Sequence, residues 1–202
     1  ILCLARTAKG SNGEGLTLFL LDGKSKGITN TLFDTIAGDK QFEVIFDKVS
    51  VPKENIIGEL DKGWKVMEEV LNMASVALCA DLLGAAEATL EMSIAYACER
   101  VAFEHPIGSF QAIQHHCANM AMDVEAAKVN TYHAAWLLSE GLPSCKNTSA
   151  AKAFVGEAFR RVGLLGHQIH GAIGFTKEMD LELYIRRCKT GEVAFGNADF
   201  HR

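Results

Sequence analysis

The longest unbroken hydrophobic period in the chain begins at Phe110 and ends at Leu138. Apolar or small residues recur at alternating intervals of three and four positions: Phe110, Ile113, Cys117, Met120, Val124, Ala127, Thr131, Ala134 and Leu138. This alternation places all of them on one face of an α-helix. It is typical of a helix that packs nearly antiparallel to its neighbours. The segment therefore predicts a long helix with a core-facing seam, ended by the turn residues Gly141 and Pro143.

Four further segments have a helical period. Residues 64–71 predict a short helix, and apolar positions from 82 to 97 predict a long one that ends near Arg100. Residues 151–169 predict another long helix, and a last one begins after Asp180. Ser109 is the expected N-cap of the helix that carries the seam. Helices joined by short loops indicate an antiparallel, up-down four-helix bundle.

The first 52 residues have a different pattern, which predicts β-strands. Apolar runs at 1–6, 16–21 and 42–49 are separated by polar, glycine-containing turns, and Pro52 closes the last run. Three strands cannot form a stable closed sheet by themselves. The chain also opens in the middle of an apolar run, without an initiator Met. We therefore expect a fragment of a longer protein, with a remnant of a β-barrel domain preceding the helices.

Composition excludes several classes of function. The chain has 202 residues, a net charge of -5 and no basic block, which argues against a nucleic-acid partner. No uninterrupted run of 18 or more apolar residues occurs, so no membrane-spanning segment is expected. The six cysteines form no CxxC pair, which favours buried, reduced thiols in an intracellular protein. The expected location is the cytoplasm, or the mitochondrial matrix in a eukaryote.

A glycine-rich stretch, Gln168 to Phe175, follows the third long helical pattern. Gly171, Ala172 and Gly174 leave little side-chain bulk at a helix end. A ligand could therefore approach the backbone closely and meet free backbone donors. The simpler interpretation is a helix that ends at a glycine in a tight turn. The stretch by itself leaves both interpretations open.

Arg100 and His170 are the side chains with the clearest potential to bind a ligand. A guanidinium can hold a pyrophosphate with two parallel hydrogen bonds, but Arg100 could equally serve as a cation near a helix C-terminus. His170 lies beside Gly171, where it could contact a ligand or form a buried structural group. The pair His115-His116 lacks the three or four ligands that a metal requires, so no metal site is predicted.

Three stretches, in this order and spacing, resemble the C-terminal half of the acyl-CoA dehydrogenase family of flavoproteins. Residues 42–63 resemble the end of the family's middle β domain. The pattern Tyr96-x-x-x-Arg100-x-x-Phe103-x-x-Pro106-Ile107-x-x-Phe110-Gln111-x-Ile113-Gln114 resembles its central helical signature. The last resemblance comprises Gln168-Ile169-His170-Gly171-Ala172-Ile173-Gly174-Phe175 followed by Leu183-Tyr184-Ile185-Arg186-Arg187.

This resemblance implies a domain organisation, a cofactor and partners. Residues 1–58 would be the C-terminal portion of the middle β domain, and residues 59–202 the all-helical C-terminal domain. The cofactor would be FAD, bound at an interface of a homo- or hetero-oligomer formed through the helical domain. The substrate would be an acyl-CoA thioester, and the electron acceptor an electron-transferring flavoprotein or a similar protein. The residues implied to contact FAD are Arg100, Phe103, Phe110, Gln111, Gln168, Ile169, His170, Gly171 and Ala172.

The chain departs from the family pattern at the positions that matter most for catalysis. Family members carry the catalytic Glu either before a Gly late in the chain, where Phe195 stands here, or early in the long helix. The second position, where Glu is usually followed by Arg, is Ala74-Ser75. Neither can take a proton, so no catalytic residue is predicted, and Asp81 is the one nearby carboxylate. Glu104 also replaces a usual Gly, and Ala172 replaces another.

Three functions remain open at this point. The first is FAD-dependent α,β-dehydrogenation of an acyl-CoA thioester by the full-length enzyme, the present chain being inactive alone. The second is a subunit that binds FAD but lacks the base and acts within a hetero-oligomer. The third is a non-dehydrogenase relative of the alkylation-response type that binds DNA, which the net charge of -5 disfavours.

Overall fold

The computed structural model describes residues 1–202, which form two compact units, Ile1–Leu71 and Asn72–Arg202. Helices contain 59% of the residues. The prediction of a mainly helical chain is therefore confirmed.

The first unit contains two small antiparallel sheets. Its strands are β1 (Leu2–Arg6), β2 (Leu16–Leu20), β3 (Ile28–Phe33), β4 (Gln41–Phe46) and β5 (Ile56–Ile57). One sheet has the order β1-β2-β5, and β3 pairs with β4 in the other. The strands β1, β2 and β4 were predicted from the sequence, whereas β3 and β5 were not. The β3 strand has three consecutive polar residues, Thr29 to Thr31, so it lacks the apolar period of two that indicates a half-buried strand.

A buried threonine connects the parts of this first unit. Thr17 is fully buried on β2, and its hydroxyl lies 2.6 Å from that of Thr7. The same hydroxyl accepts the backbone N–H of Asp61 at 2.8 Å. Because a buried hydroxyl without partners would be costly, these bonds fix the strand end against the segment that leads into the first helix.

The helical unit is built from four long or medium helices and one short one. They are α1 (Gly63–Glu99, whose first residues belong to the other unit), α2 (Gln111–Ser139), α3 (Cys145–His170), α4 (Leu181–Val193) and α5 (Ala198–His201). A two-residue pair of strands, β6 (Val101–Ala102) and β7 (His105–Pro106), lies between α1 and α2. Short 3-10 turns, Ile107–Ser109 and Gly171–Phe175, precede α2 and follow α3.

Two expectations about the helix boundaries were wrong. Residues 64–71 and 82–97 belong to one continuous helix, because no Pro or Gly interrupts the chain between Gly63 and Gly84. Ser109 is not the N-cap of α2. Its hydroxyl donates to the Pro106 carbonyl at 2.7 Å within the 3-10 turn, and Phe110 occupies the cap position without a side-chain bond.

The predicted seam of α2 lies in the core of the helical unit. Its central members Met120, Val124, Ala127, Thr131 and Ala134 are all buried. They pack in one cluster with α1 and α3, whose largest contributions are Leu82, Val155, Phe159 and Val162. Burying each such side chain contributes roughly 1.5–3 kcal/mol, so this cluster is the main source of cohesion among the helices.

The helix α1 is long and apolar enough to cross a membrane by length and composition alone. This is weak evidence, since the core helix of a soluble protein passes the same test. Its buried residues Cys79, Leu82, Leu83 and Ala86 pack in the shared core of the helical unit. The absence of a membrane partner stays a prediction.

The cysteines differ in their environments. All six are free, but only Cys79 and Cys188 are buried, whereas Cys98 and Cys145 are exposed. The expectation of buried thiols is therefore right for two of them. Burial raises the pKa of Cys79 to about 11 and that of Cys188 to about 12, which keeps both as unreactive thiols.

Candidate cofactor-binding site

An aromatic stack brings the two predicted cofactor-binding stretches to the same end of the helices. Tyr96, in the last turn of α1, stacks on His170, the last residue of α3, with ring centroids 4.6 Å apart and an interplanar angle of 26°. Arg100 lies four residues after Tyr96, and the glycine-rich turn begins at Gly171. The spacing of the sequence gave no indication of this contact, because the two rings are 74 residues apart (170 minus 96).

The segment between α1 and α2 is a tight hairpin. The backbone N–H of Ile107 donates to the Arg100 carbonyl at 2.8 Å and closes it. The two residues at its tip, Phe103 and Glu104, both have positive φ, 53° and 70°. Two successive positive φ angles are typical of the tight turns that favour Gly. This explains why a glycine suits position 104, where the chain has Glu.

The tip of this hairpin projects an aromatic ring into solvent. Phe103 is 87% exposed, and its only ring contact is an edge-to-face pair with Phe110 at 6.2 Å. A ring this exposed contributes little hydrophobic free energy to the folding of its own chain. It is therefore available to contact a bound molecule or a second subunit.

Arg100 and the start of α2 fit an anionic group. Arg100 is exposed, and its guanidinium has no hydrogen-bond or ion-pair partner in the chain. Gln111, also exposed, is the first residue of α2, whose first turn contains no acidic residue. A helix N-terminus offers free N–H groups and a positive dipole end. This end of the molecule therefore has the donors that a dinucleotide phosphate requires.

The glycine-rich stretch presents some of its members and buries others. Gln168, Gly171 and Ala172 are exposed, whereas Ile169 and His170 are each only 4% exposed. The side chains of Ile169 and His170 therefore face the core, and any contact with a ligand would use their backbone. Gly171 ends α3 with φ of 64°, which is the helix end at a glycine that the sequence suggested. The same turn is exposed and has little side-chain bulk, so the two interpretations of this stretch are compatible.

The hydrogen bond of His170 fixes its ring. Nδ1 lies 2.8 Å from the Gly166 carbonyl, so this nitrogen carries the proton and donates. Nε2 is buried without a hydrogen-bond partner. The side chain of His170 thus packs on Tyr96 and binds Gly166 of its own chain, and a contact of His170 with a ligand stays a prediction.

A second imidazole, which sequence analysis did not single out, supports the same turn. His167 stacks on Phe175 with centroids 4.1 Å apart and an interplanar angle of 3°. Burial, followed by the nearby His170, lowers the pKa of His167. Gly174 lies so close that an added Cβ would be 3.2 Å from His167 Nδ1 and 3.1 Å from Leu181. A side chain at this position would require these neighbours to shift by a few tenths of an ångström.

The two positions that would hold a catalytic Glu lie at the other end of the helices. Asn72, beside Ala74 and Ser75, donates to the Ser144 hydroxyl at the start of α3 at 2.7 Å. Lys152, also in the first half of α3, donates to the Gly196 carbonyl, next to Phe195, at 2.8 Å. Since a helix rises 1.5 Å per residue, Lys152 and His170 are roughly 27 Å apart along α3. Within one chain, the residues predicted to contact the cofactor and the positions predicted to hold the base are therefore widely separated.

Asp81 is not a free carboxylate. Its Oδ2 accepts a hydrogen bond from Arg187 Nε at 3.0 Å, and both side chains are about half exposed. A general base must be able to approach the proton it takes. Asp81 is instead occupied by an ion pair between α1 and α4.

No group of three or more His, Cys, Asp or Glu residues could hold a metal ion.

Comparison with known proteins gives a consistent result. Residues 61–202 match the family model described as acyl-CoA dehydrogenase, C-terminal domain. A probable acyl-CoA dehydrogenase of Bacillus subtilis is 33% identical over the whole chain, which covers 54% of that protein. A subunit of the caffeyl-CoA reductase-Etf complex of Acetobacterium woodii is 32% identical, with 96% of the chain and 52% of the relative covered.

The fold of a solved structure agrees. The butyryl-CoA dehydrogenase of Megasphaera elsdenii is 30% identical and superposes with a TM-score of 0.92, over 99% of this chain and 53% of that one. The chain thus spans about half the length of the relatives it matches. The resemblance predicted from the three motifs is confirmed over most of the chain: it belongs to the acyl-CoA dehydrogenase family.

Proposed function

We propose that the full-length protein to which this chain belongs is an FAD-dependent enzyme that dehydrogenates an acyl-CoA thioester between its α and β carbons. The observation that carries this proposal is the match of residues 61–202 to the acyl-CoA dehydrogenase C-terminal domain. The flavin, when bound, would accept a hydride, and the residues of this chain would hold its phosphates and shape its surroundings.

The geometry supports an assignment of the cofactor-contacting residues. The free guanidinium of Arg100 would neutralise a phosphate, and the exposed Gln111 and Gln168 would donate to polar edges. The backbone around Gly171 and Ala172 would approach the dinucleotide closely, since an added Cβ at Gly171 would meet nothing within 4 Å in the chain. Phe103 and Phe110 would pack on it, while Ile169 and His170 would contribute only backbone.

The distance between the two ends supports an oligomer. Lys152, which contacts the turn at residue 195, and His170, which stacks on Tyr96 near Arg100, are roughly 27 Å apart along α3, so the two ends of one chain would not meet at one active site. The two ends of one chain would therefore serve two different active sites, with FAD at the interface between subunits. We infer that the helices form an antiparallel four-helix bundle of residues 59–202 that makes this interface. Residues 1–58 would complete a middle β-barrel domain with strands that precede them.

A second candidate follows from the base positions. Phe195 and Ala74 carry no group that accepts a proton, Ser75 is buried, and Asp81 is held by Arg187. These observations favour a subunit that binds FAD and relies on a partner subunit for its base. The Acetobacterium relative acts, by its name, in a complex with Etf. We accordingly propose an electron-transferring flavoprotein as the electron acceptor. We also propose that the protein is located in an intracellular compartment.

Replacement of Arg100 tests the cofactor assignment. In the full-length protein, Arg100→Ala should weaken FAD binding about 10- to 100-fold, the effect of losing one hydrogen bond to a charged group worth about 1.5–3 kcal/mol. The measurement is the FAD dissociation constant by flavin fluorescence. Arg187→Ala is the matched control, because Arg187 lies on α4 and pairs with Asp81. Equal FAD affinity in the two variants would contradict the assignment.

A further inference from the structure

Lys152 is a fully buried charged residue that none of the sequence motifs includes. It is only 1% exposed and is one of the largest fully buried side chains. Burial lowers the pKa of its ammonium, and the cost of placing a charge in the core must be offset by hydrogen bonds. A buried charge in the first half of α3 carries this free-energy cost, so its presence needs an explanation beyond packing.

The ammonium group connects two carbonyls on either side of a turn. Its Nζ donates to the Glu192 carbonyl at 3.0 Å and to the Gly196 carbonyl at 2.8 Å. The Glu192 carbonyl belongs to the last turn of α4, where carbonyls lack helical partners and the helix dipole favours a cation. Lys152 therefore binds both the end of α4 and the backbone that follows it.

The turn between these carbonyls has an unusual conformation. Phe195 has φ of 57°, a region that costs a residue with a Cβ roughly 1–2 kcal/mol. Gly196 follows with φ of 99°, and an added Cβ there would lie 2.3 Å from the ring of Phe200. The Phe195 carbonyl accepts a hydrogen bond from His201 Nε2 at 2.9 Å. A strained turn persists only where its surroundings fix it, and Lys152 and His201 are the groups that do so.

We propose that Lys152 is a positioning residue that fixes the turn from Ala194 to Asn197 and so determines where the side chain of residue 195 points. The Phe195 ring is 47% exposed, so it is presented to the surroundings and does not lie in the core. The catalytic meaning of this arrangement rests on the proposed function, in which residue 195 faces the acyl thioester. The clamp itself, Lys152 with the carbonyls of Glu192 and Gly196, does not depend on it.

Amide hydrogen exchange of the full-length protein tests the clamp directly. In Lys152→Met, which keeps the length of the side chain but removes the donors, the amides of Ala194 and Gly196 should exchange about tenfold faster or more, the effect of one hydrogen bond to a charged group. Amides in the centre of α2 should be unchanged. Arg202→Ala is the matched control, since it removes the ion pairs of the Arg202 guanidinium with Glu157 on α3 and with Asp199 but keeps both carbonyl contacts of Lys152.

The outcomes separate a clamp from a general core residue. Faster exchange confined to the turn in Lys152→Met, absent in Arg202→Ala, supports the proposal. Unchanged exchange at the turn, or equal acceleration throughout the helical unit, overturns it. Lys152→Gln keeps one short donor and should show a smaller acceleration at the same amides. If neither variant folds, Lys152 is a general core group and the proposal is wrong.

A second readout addresses the catalytic meaning. In a Phe195→Glu background, Lys152→Met should lower the rate of flavin reduction by an acyl-CoA about tenfold or more, because a displaced base loses its near-attack geometry. In an Ala74→Glu background, Lys152→Met should lower the rate of flavin reduction by less than about threefold, because residue 74 does not lie in the turn. Equal effects in both backgrounds would overturn the positioning role. If no variant reduces flavin with any acyl-CoA, the proposed function fails, while the exchange data still decide the clamp.

Discussion

At the scale of single residues, the tip of the hairpin between α1 and α2 places a glutamate in a backbone conformation that favours glycine. Glu104 occupies a position with φ of 70° that suits a glycine. The left-handed conformation costs a residue with a Cβ about 1–2 kcal/mol, and glycine loses about 0.5–1 kcal/mol through its greater freedom when unfolded. The Glu side chain is exposed, so burial does not compensate for the strain.

Replacing Glu104 with Gly should therefore stabilise the protein. The free energy of unfolding of Glu104→Gly should rise by about 0.5–1 kcal/mol, the difference between relieved strain and added freedom. Urea denaturation measures it. Glu104→Ala is the control, since it removes the charge but keeps the Cβ, and it should give no gain. A comparable gain from Ala would show that charge, and not backbone conformation, is responsible.

At the scale of helices, close packing depends on where glycine stands. Gly191 of α4 faces Leu82 of α1, and an added Cβ would lie 2.5 Å from Leu82 Cδ2, which belongs to a fully buried side chain. Gly84 of α1 is exposed, and an added Cβ there would meet nothing within 4 Å. Replacing glycine with alanine should thus destabilise the protein at position 191 and stabilise it at position 84.

The pair Gly191→Ala and Gly84→Ala tests the packing of α4 on α1. Overpacking should lower the free energy of unfolding of Gly191→Ala by about 1–3 kcal/mol. The higher helix propensity of Ala should raise that of Gly84→Ala by up to about 1 kcal/mol. Thermal and urea unfolding of both variants provide the measurement. Stabilisation of both would mean that α4 does not lie against Leu82.

Several features at this scale were predictable from sequence because they are periodic. The α2 seam indicated both the helix and its buried face, and α3 and α4 were found for the same reason. The strand β3 was missed because its consecutive polar residues obscure the period of two. The continuity of α1 was missed because residues 73–80 are almost all apolar or small, so no single helical face is distinguishable there. The stack of Tyr96 on His170 and the burial of Lys152 depend on contacts between distant residues, which no local pattern contains.

At the scale of the whole molecule, the helical unit exposes apolar residues on α2 and α3. Met122, Val129 and Trp136 on α2 and Leu164 on α3 are each more than half exposed. Apolar side chains of this size in neighbouring positions are expected at interfaces. We therefore expect this face to bury itself against a second subunit.

Sedimentation velocity tests self-association. The chain should form dimers or larger oligomers at micromolar concentration, and Met122→Glu combined with Val129→Glu should shift it toward monomer, because each charge would have to be desolvated in the interface. Leu142→Glu is the control at an exposed apolar position in the loop before α3. A clean monomer of the unmutated chain at micromolar concentration would count against the oligomer.

We propose that the full-length protein is a flavin-dependent acyl-CoA dehydrogenase whose usual base positions, residues 74 and 195, carry no base. The most direct test is to mix the full-length protein anaerobically with a panel of acyl-CoA thioesters. Reduction of the bound flavin is measured as the loss of its absorbance. The unmutated protein should react slowly with straight-chain substrates. Phe195→Glu or Ala74→Glu should react about 10²- to 10⁴-fold faster, which is the usual contribution of a general base. Fast flavin reduction by the unmutated protein would contradict the account.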